Sequence, residues 1–138
     1  GSYFKVLVDS LAGCVVAGNT AIGLVPGCGN AEMVAEMADL LLRLEHIHTT
    51  VCYGRCSDKI HISARAVDAR VDVSKCMKRA VRRIGTGGGH RAMAGGQVSV
   101  QDDPEARLEL VRARILKAFA PKKTPRPLLT GITDCNHD

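Results

Sequence analysis

The 138-residue chain is 46% hydrophobic and 24% charged, a composition typical of an ordinary globular protein of about one domain. With no tryptophan, two tyrosines and two phenylalanines, its core must be largely aliphatic. No apolar run approaches the roughly 20 residues of a membrane span, so we expect no membrane segment. The net charge is +5, and six cysteines that we expect to be reduced favour a cytoplasmic location.

The first predicted elements are a helix or linker, a strand and a helix. Residues 1–2 look like an expression scar, and residues 3–16 are expected to be a linker or helix that enters the domain. Residues 20–25 are β-like and end at a Pro-Gly turn signal. Asn30 is a suitable N-cap for a helix that extends to about residue 44, because apolar side chains recur after it at helical spacing.

A hairpin is predicted next, with strands at residues 47–53 and 59–67 and a turn at residues 54–58. The second strand alternates cleanly, since strand side chains point to opposite faces in turn. Its apolar face consists of Ile60, Ile62, Ala64 and Ala66. Its polar face consists of His61, Ser63 and Arg65, three side chains that could face an anionic ligand.

The remaining elements complete an α/β (mixed α+β) pattern. Asp72 can cap a helix that extends to about Ile84, and a short strand is expected at residues 95–101. Asp103-Pro104 is a strong start for a last helix that ends near Ala120. This order of elements predicts a mixed β-sheet flanked by helices in a single domain, residues 3–120, followed by a flexible tail, residues 121–138.

Between the third helix and the next strand lies the most distinctive stretch, residues 85–96, in which six of twelve residues are glycine. Adjacent glycines let successive backbone N–H groups converge on one anion. His90 and Arg91 follow the glycine run and could add side-chain donors. The stretch is therefore predicted to be a loop that grips a phosphate through Gly87, Gly88, Gly89 and His90.

The glycines have two other interpretations. A dinucleotide-binding loop would follow a strand and open a helix, whereas here a helix comes first and His90 takes the place of the third glycine. A purely structural turn needs one or two glycines and does not need three in a row before a histidine. This structural turn remains the alternative to phosphate binding.

The sequence Gly-Gly-Gly-His-x-x-x-Ala-Gly at residues 87–95 also resembles the signature of the DHH-associated domain. This is the C-terminal domain of the DHH phosphoesterases, which include RecJ-type exonucleases, oligoribonucleases and exopolyphosphatase-like proteins. Residues 60–65 resemble the family's strand ending in Ser-x-Arg. The chain departs from the family at Thr86, which interrupts the glycine run, and at Ala66, where serine is usual. The resemblance implies that His90 and Arg65 contact a substrate phosphate.

The resemblance also implies a missing partner. In the family, manganese or magnesium is held by an N-terminal domain named for an Asp-His-His triplet, and no two histidines are adjacent in this chain. The acidic residues are scattered, so we predict no catalytic residue, metal site or cofactor here. We therefore expect an excised substrate-binding domain that works with an N-terminal DHH domain in cis and is inert alone.

Two functions stay open on these grounds. The first is the substrate-binding half of a metal-dependent phosphoesterase acting on single-stranded oligonucleotides, nucleotides or polyphosphate. The second is a non-catalytic nucleic-acid-binding module like the C-terminal domain of alanyl-tRNA synthetases, whose glycine loop typically lacks the histidine. His90 therefore favours the first function. Arg91, Ser63 and His61 are weaker candidates for phosphate contacts.

Charge distribution supports an anionic ligand. Residues 73–101 contain no Asp or Glu and carry six cations, namely Lys75, Lys78, Arg79, Arg82, Arg83 and Arg91. Such a segment should hold a positive potential, although a solvated helix face is the plainer explanation.

The six cysteines are irregularly spaced and are expected to be reduced and to pack as small apolar side chains. Cys52 and Cys56 with His61 could suggest zinc, but a second ligand pair at metal-binding spacing is missing.

Overall fold

The structure is a computed structural model that describes residues 2–27 and 29–129. The helices of this part of the chain are α1 (Ser2–Gly13), α2 (Ala31–Leu41), α3 (Val73–Val81) and α4 (Pro104–Phe119). Its strands are β1 (Val15–Ala17), β2 (Thr20–Leu24), β3 (Thr49–Cys56), β4 (Lys59–Ala66), β5 (Gly85–His90), β6 (Met93–Ser99) and β7 (Arg126–Pro127). Within residues 2–27 and 29–129, no helix is both long and apolar enough to cross a bilayer.

The strands form a single mixed sheet in the order β5-β6-β4-β3-β2-β1-β7. Only β2 and β3 run parallel among the described pairs, because α2 carries the chain back between them. All other neighbours are antiparallel. The prediction of a mixed sheet flanked by helices is confirmed.

Helices cover the sheet on both faces. On one face, α3 and α4 pack over the apolar side of β4, with Ile60, Met77 and Ile115 fully buried. On the other face, α1 and α2 pack around Met37 and Leu41. The core is aliphatic as expected, with Tyr53 the buried aromatic side chain of the described residues.

The predicted helix starts are confirmed by their caps. The side chain of Asn30 accepts a hydrogen bond from the Met33 amide at 3.2 Å, and that of Asp103 accepts one from the Ala106 amide at 3.1 Å. Asp72 caps α3 by accepting from the amides of Ser74 and Lys75. Each cap satisfies backbone donors that the first turn of a helix leaves without partners.

The prediction that residues 85–96 form a loop is wrong, because this segment forms the β5–β6 hairpin. Its turn is Arg91-Ala92, and β5 forms an edge of the sheet. Glycine has a low preference for strands, so the glycine-rich sequence of this segment did not indicate a strand. Here the glycines pair with β6 because α3 packs closely against them, as described below.

The other edge of the sheet involves the segment predicted to be a flexible tail. Residues 126–127 form β7 and pair with β1, a strand that was not predicted. The Leu128 amide donates to the Cys14 carbonyl at 3.0 Å, and the Leu128 side chain packs against the core around α2. The tail is thus docked as far as residue 129, and residues 130–138 lie outside the described part.

Truncation after Ala120 should therefore lower the free energy of unfolding by about 1–2 kcal/mol, because it removes the β7 hydrogen bonds and a half-buried leucine. Truncation after Leu129 is the matched control, since it keeps both contacts. Urea denaturation followed by circular dichroism measures the difference. Equal midpoints for the two truncated chains would mean that β7 adds no stability.

The cysteines only partly follow expectation. Cys14, Cys52 and Cys76 are free thiols, but Cys56 is disulfide-bonded, which corrects the prediction that all cysteines are reduced. Burial raises the pKa of Cys14 to about 11 and raises that of Cys52 well above its usual value. These two thiols therefore stay protonated and unreactive near neutral pH.

Candidate phosphate-binding groove

The polar side of β4 faces the layer of α2, opposite the apolar side that α3 and α4 cover. His61, Ser63 and Arg65 are half-buried on this side. Strand register places Ser63 beside Gly95 and Gly95 beside Gly88, while Arg65 lies beside Met93 and Met93 beside His90. Three strands thus bring the predicted residues of β4 and β5 into neighbouring rows.

These rows line a groove of about 340 Å³, which we call the phosphate groove. Its lining includes Ser63, Arg65, Gly88, Gly89 and His90. A neighbouring cavity of about 650 Å³ extends toward α2 and shares Ser63 and Gly95 with the phosphate groove. The sequence-predicted residues His61 and Gly87 line this second cavity.

The glycines of β5 have different roles. A Cβ atom on Gly87 would lie 2.8 Å from Met77 Cγ, so this glycine lets α3 pack directly on the strand. Gly89 has a φ of +150°, and a Cβ there would collide with the Met93 carbonyl. A Cβ on Gly88 would have only Lys78 Cε within contact range, at 3.9 Å. Of the three, Gly88 is therefore the one with open space above its backbone.

The backbone of β5 does not form the expected nest of converging N–H groups, because in an extended strand these groups point alternately to opposite sides. An edge strand instead leaves every second N–H and C=O group without a neighbour in the sheet. A ligand can approach these groups where side chains do not cover them. This corrects the predicted geometry of the glycine run.

Arg65 is held firmly at the floor of the phosphate groove. Its Nε donates to Asp39 Oδ1 at 2.9 Å, and its Nη1 donates to the Ala64 carbonyl at 3.0 Å. The Arg65 side chain is only 11% exposed, whereas that of Asp39 is 57% exposed. Asp39, which lies on α2, thus orients the guanidinium group and offsets part of its charge. Asp39 was not predicted as a site residue, since it lies 26 positions from Arg65 and belongs to no motif.

His90 and Arg91 are adjacent but differ in environment. His90 is exposed, lines the phosphate groove and makes no side-chain hydrogen bond with any other described residue. Arg91 donates to the Ala69 carbonyl at 2.6 Å and lies 3.6 Å from Asp72. A hydrogen bond from Ser74, the Lys75 and Ser74 amides and the nearby Arg91 lower the pKa of Asp72. Arg91 therefore ties the hairpin to the start of α3 and lines neither cavity.

The groove has the chemistry of an anion site. It offers a guanidinium group, an imidazole, a hydroxyl group and exposed backbone. Within residues 2–27 and 29–129, no group of three or more Asp, Glu, His or Cys side chains is placed to hold a metal ion. A guanidinium group, an imidazole and a hydroxyl group are all groups that can donate hydrogen bonds to an anion.

Comparisons with known proteins agree with this fold. Residues 18–117 match the DHHA1 domain family. An uncharacterized protein of Methanocaldococcus jannaschii is 35% identical over 118 residues, which cover 79% of this chain and 24% of that protein. The chain thus spans about a quarter of the length of the curated relative it matches.

Three solved structures share the fold at low identity. RecJ from Thermus thermophilus, in complex with Mn²⁺, has a TM-score of 0.56 and 19% identity over 91% of this chain and 17% of that protein. An exopolyphosphatase-related protein from Bacteroides fragilis has a TM-score of 0.56 and 16% identity over 84% of this chain and 34% of that chain. The C-Ala domain of Aquifex aeolicus alanyl-tRNA synthetase has a TM-score of 0.54 and 18% identity over 72% of this chain and 95% of that domain.

The match over residues 18–117 covers most of the chain and includes every residue of the phosphate groove. This chain belongs to the DHHA1 domain family. The resemblance carried by the glycine-histidine motif and the Ser-x-Arg strand is thereby confirmed.

Proposed function

We propose that this chain is the substrate-binding domain of a metal-dependent DHH-family phosphoesterase and that its phosphate groove grips one phosphate of the substrate. The substrate would be a single-stranded oligonucleotide, a nucleotide or polyphosphate. The observation that carries the proposal is the convergence of Arg65, Ser63, Gly88 and His90 on one groove, from strands distant in sequence.

Each residue has a distinct part in this proposal. Arg65, oriented by Asp39, presents a fixed positive charge, and its Nη2 is not engaged by any described residue. His90 can donate from its ring to a phosphate oxygen, and Ser63 can donate from its hydroxyl group. Gly88 lets the phosphate approach the backbone of the edge strand, since it has no side chain of its own and only Lys78 Cε lies near its Cβ position.

The hydrolysis itself would need an N-terminal DHH domain in cis. In this proposal any manganese or magnesium ion would be held by that domain, as the family resemblance implies. A cytoplasmic location is part of this proposal. The free thiols of Cys14, Cys52 and Cys76 are usual in that compartment, whereas the disulfide at Cys56 is not.

The test is titration of the ¹⁵N-labelled chain with adenosine monophosphate, followed by amide chemical shifts. We expect the largest shifts at residues 63–65 and 88–90. His90→Ala should weaken binding by about 1–3 kcal/mol, the range for removing a hydrogen bond to a charged group. Largest shifts elsewhere in the chain would contradict the proposal.

A matched control is His46→Asn, which also removes one imidazole. His46 is exposed and lines neither cavity, and its φ of +68° is a conformation that asparagine tolerates. The affinity of the His46→Asn variant for the nucleotide should equal that of the unmodified chain. An equal loss in both variants would mean that imidazole charge in general, and not the position of His90, attracts the ligand.

A further inference from the structure

A second basic surface lies on the opposite face of the sheet, where α3 and α4 pack side by side. The groove between them, about 390 Å³ in volume, is lined by Arg79, Arg82, Arg114, Lys117 and Ala118, and we call it the basic groove. Nη2 of Arg114 donates to the carbonyls of Arg79 and Arg82 at 3.2 and 2.6 Å. Arg114 is thus held in place, while the other three cations are exposed, and Arg79 Nη2 donates to Cys76 Sγ at 3.5 Å.

The charge of the basic groove is not offset by acids. None of its four cations forms an ion pair within the described part of the chain. Residues 73–101 and 110–133, which supply all four, contain no Asp or Glu. A cation near the C-terminus of a helix is favourable by itself. That effect does not explain why α3, its C-cap residue Arg82 and α4 together place four cations in one groove without a carboxylate. A polyanionic ligand does explain it.

The basic groove connects with the phosphate groove around the edge of the sheet. Lys78 precedes Arg79 on α3, and its Cε lies 3.9 Å from the position of a Cβ atom on Gly88. Between the two grooves lies β5, an edge strand composed largely of glycine. A ligand chain that leaves the phosphate groove at Gly88 therefore meets almost no side chains before it reaches the cations of α3.

We propose that the basic groove binds the phosphate backbone of a single-stranded nucleic acid that continues from the phosphate groove around β5. This continuity rests on the proposed function of the phosphate groove. The bound nucleic acid must turn around the edge of the β-sheet within a few nucleotides. A duplex, with a persistence length of about 150 base pairs, is too stiff to make this turn. The large exposed apolar side chains of the described residues all lie outside α3 and α4, which argues against a lipid surface.

The test compares two double charge reversals in the full chain. Arg79→Glu with Lys117→Glu alters the basic groove, and Arg43→Glu with Arg55→Glu makes the same change in net charge at exposed residues outside it. The hydrogen bonds of Arg114 are kept, since they use the backbone carbonyl of Arg79. The probe is a fluorescein-labelled oligothymidylate of 20 nucleotides, and binding is measured by fluorescence anisotropy at 50 mM salt. Circular dichroism checks that both variants are folded.

We expect the basic-groove variant to bind the oligonucleotide at least tenfold more weakly and the control variant to bind within twofold of the unmodified chain. The slope of log affinity against log salt should decrease by about 0.7 for each phosphate that the variant no longer neutralises. Equal losses in both variants would overturn the proposal. So would binding of a duplex of the same length as tightly, or competition by inorganic polyphosphate as effective per phosphate as that by the unlabelled oligonucleotide.

The two proposals fail in different ways. The adenosine monophosphate shifts at residues 88–90 report on the phosphate groove, so they should be the same in the basic-groove variant. If these shifts are absent in the unmodified chain but the charge reversal still weakens oligonucleotide binding, the proposed function is wrong and the basic groove stands. If the shifts are present and the reversal has no effect, the basic groove is wrong and the proposed function stands.

Discussion

Gly87→Val is expected to destabilise the chain by about 3 kcal/mol, whereas Gly88→Val should leave its stability unchanged and abolish phosphate binding. At Gly87 even a Cβ atom would lie 2.8 Å from Met77 Cγ and 3.1 Å from Val81 Cγ2, so α3 would have to move away from the sheet. At Gly88 there is space for a side chain, and valine favours the strand conformation over glycine. The same valine would block a phosphate from reaching the backbone.

This pair of variants separates packing from binding at adjacent positions. Urea denaturation gives the two stabilities, and titration with adenosine monophosphate gives the two affinities. Strong binding by Gly88→Val would show that phosphate does not approach the edge strand. Full stability of Gly87→Val would show that Met77 does not pack against this glycine.

Arg65→Ala and Asp39→Asn should change phosphate affinity in opposite directions. Removing Arg65 removes the buried cation of the phosphate groove and should cost about 1–3 kcal/mol of binding. Asp39→Asn keeps a hydrogen-bond acceptor for Arg65 Nε and removes the negative charge that offsets the guanidinium group. Because Asp39 is largely exposed, the gain in affinity should be modest, on the order of 0.5 kcal/mol.

Isothermal titration calorimetry at 50 mM salt, with a nucleotide as ligand, measures both effects. Glu36→Gln, an exposed residue near Asp39 on α2, controls for the loss of one negative charge. If Asp39→Asn weakens binding as Arg65→Ala does, the Asp39 charge does not compete with the ligand for Arg65. A gain equal to that of Glu36→Gln would reflect net charge alone.

The sequence predicts those parts of the fold that have a local signal. Helices α2, α3 and α4 begin at capping side chains that can be recognised without tertiary information, and β4 is recognisable by its strict alternation. The glycine-rich hairpin cannot be recognised in this way because glycine favours neither strand nor helix, and only packing against Met77 makes a strand of it. Strands β1 and β7, of three and two residues, are too short for any periodicity.

The sequence predicted which residues belong to the candidate site better than it predicted how they are arranged. The motif residues of β4 and β5 do meet in one groove, but the three glycines were assigned one role and have three different environments. The Asp39–Arg65 ion pair and the docking of Arg91 on Asp72 depend on tertiary packing. The disulfide at Cys56 could not be foreseen either, since spacing alone does not determine cysteine pairing.

Thr86, which interrupts the glycine run, determines how β5 can align with its neighbour. A strand of glycines carries no alternating pattern to specify its pairing and is prone to slip by one residue. A slip in one direction would place Thr86 at the position of Gly87, where Met77 leaves no room for a side chain. A slip in the other would place it at the position of Gly85, where a Cβ atom would collide with the Gln97 carbonyl. One threonine therefore disfavours a slip by one residue in either direction, through α3 in one case and through the backbone of β6 in the other.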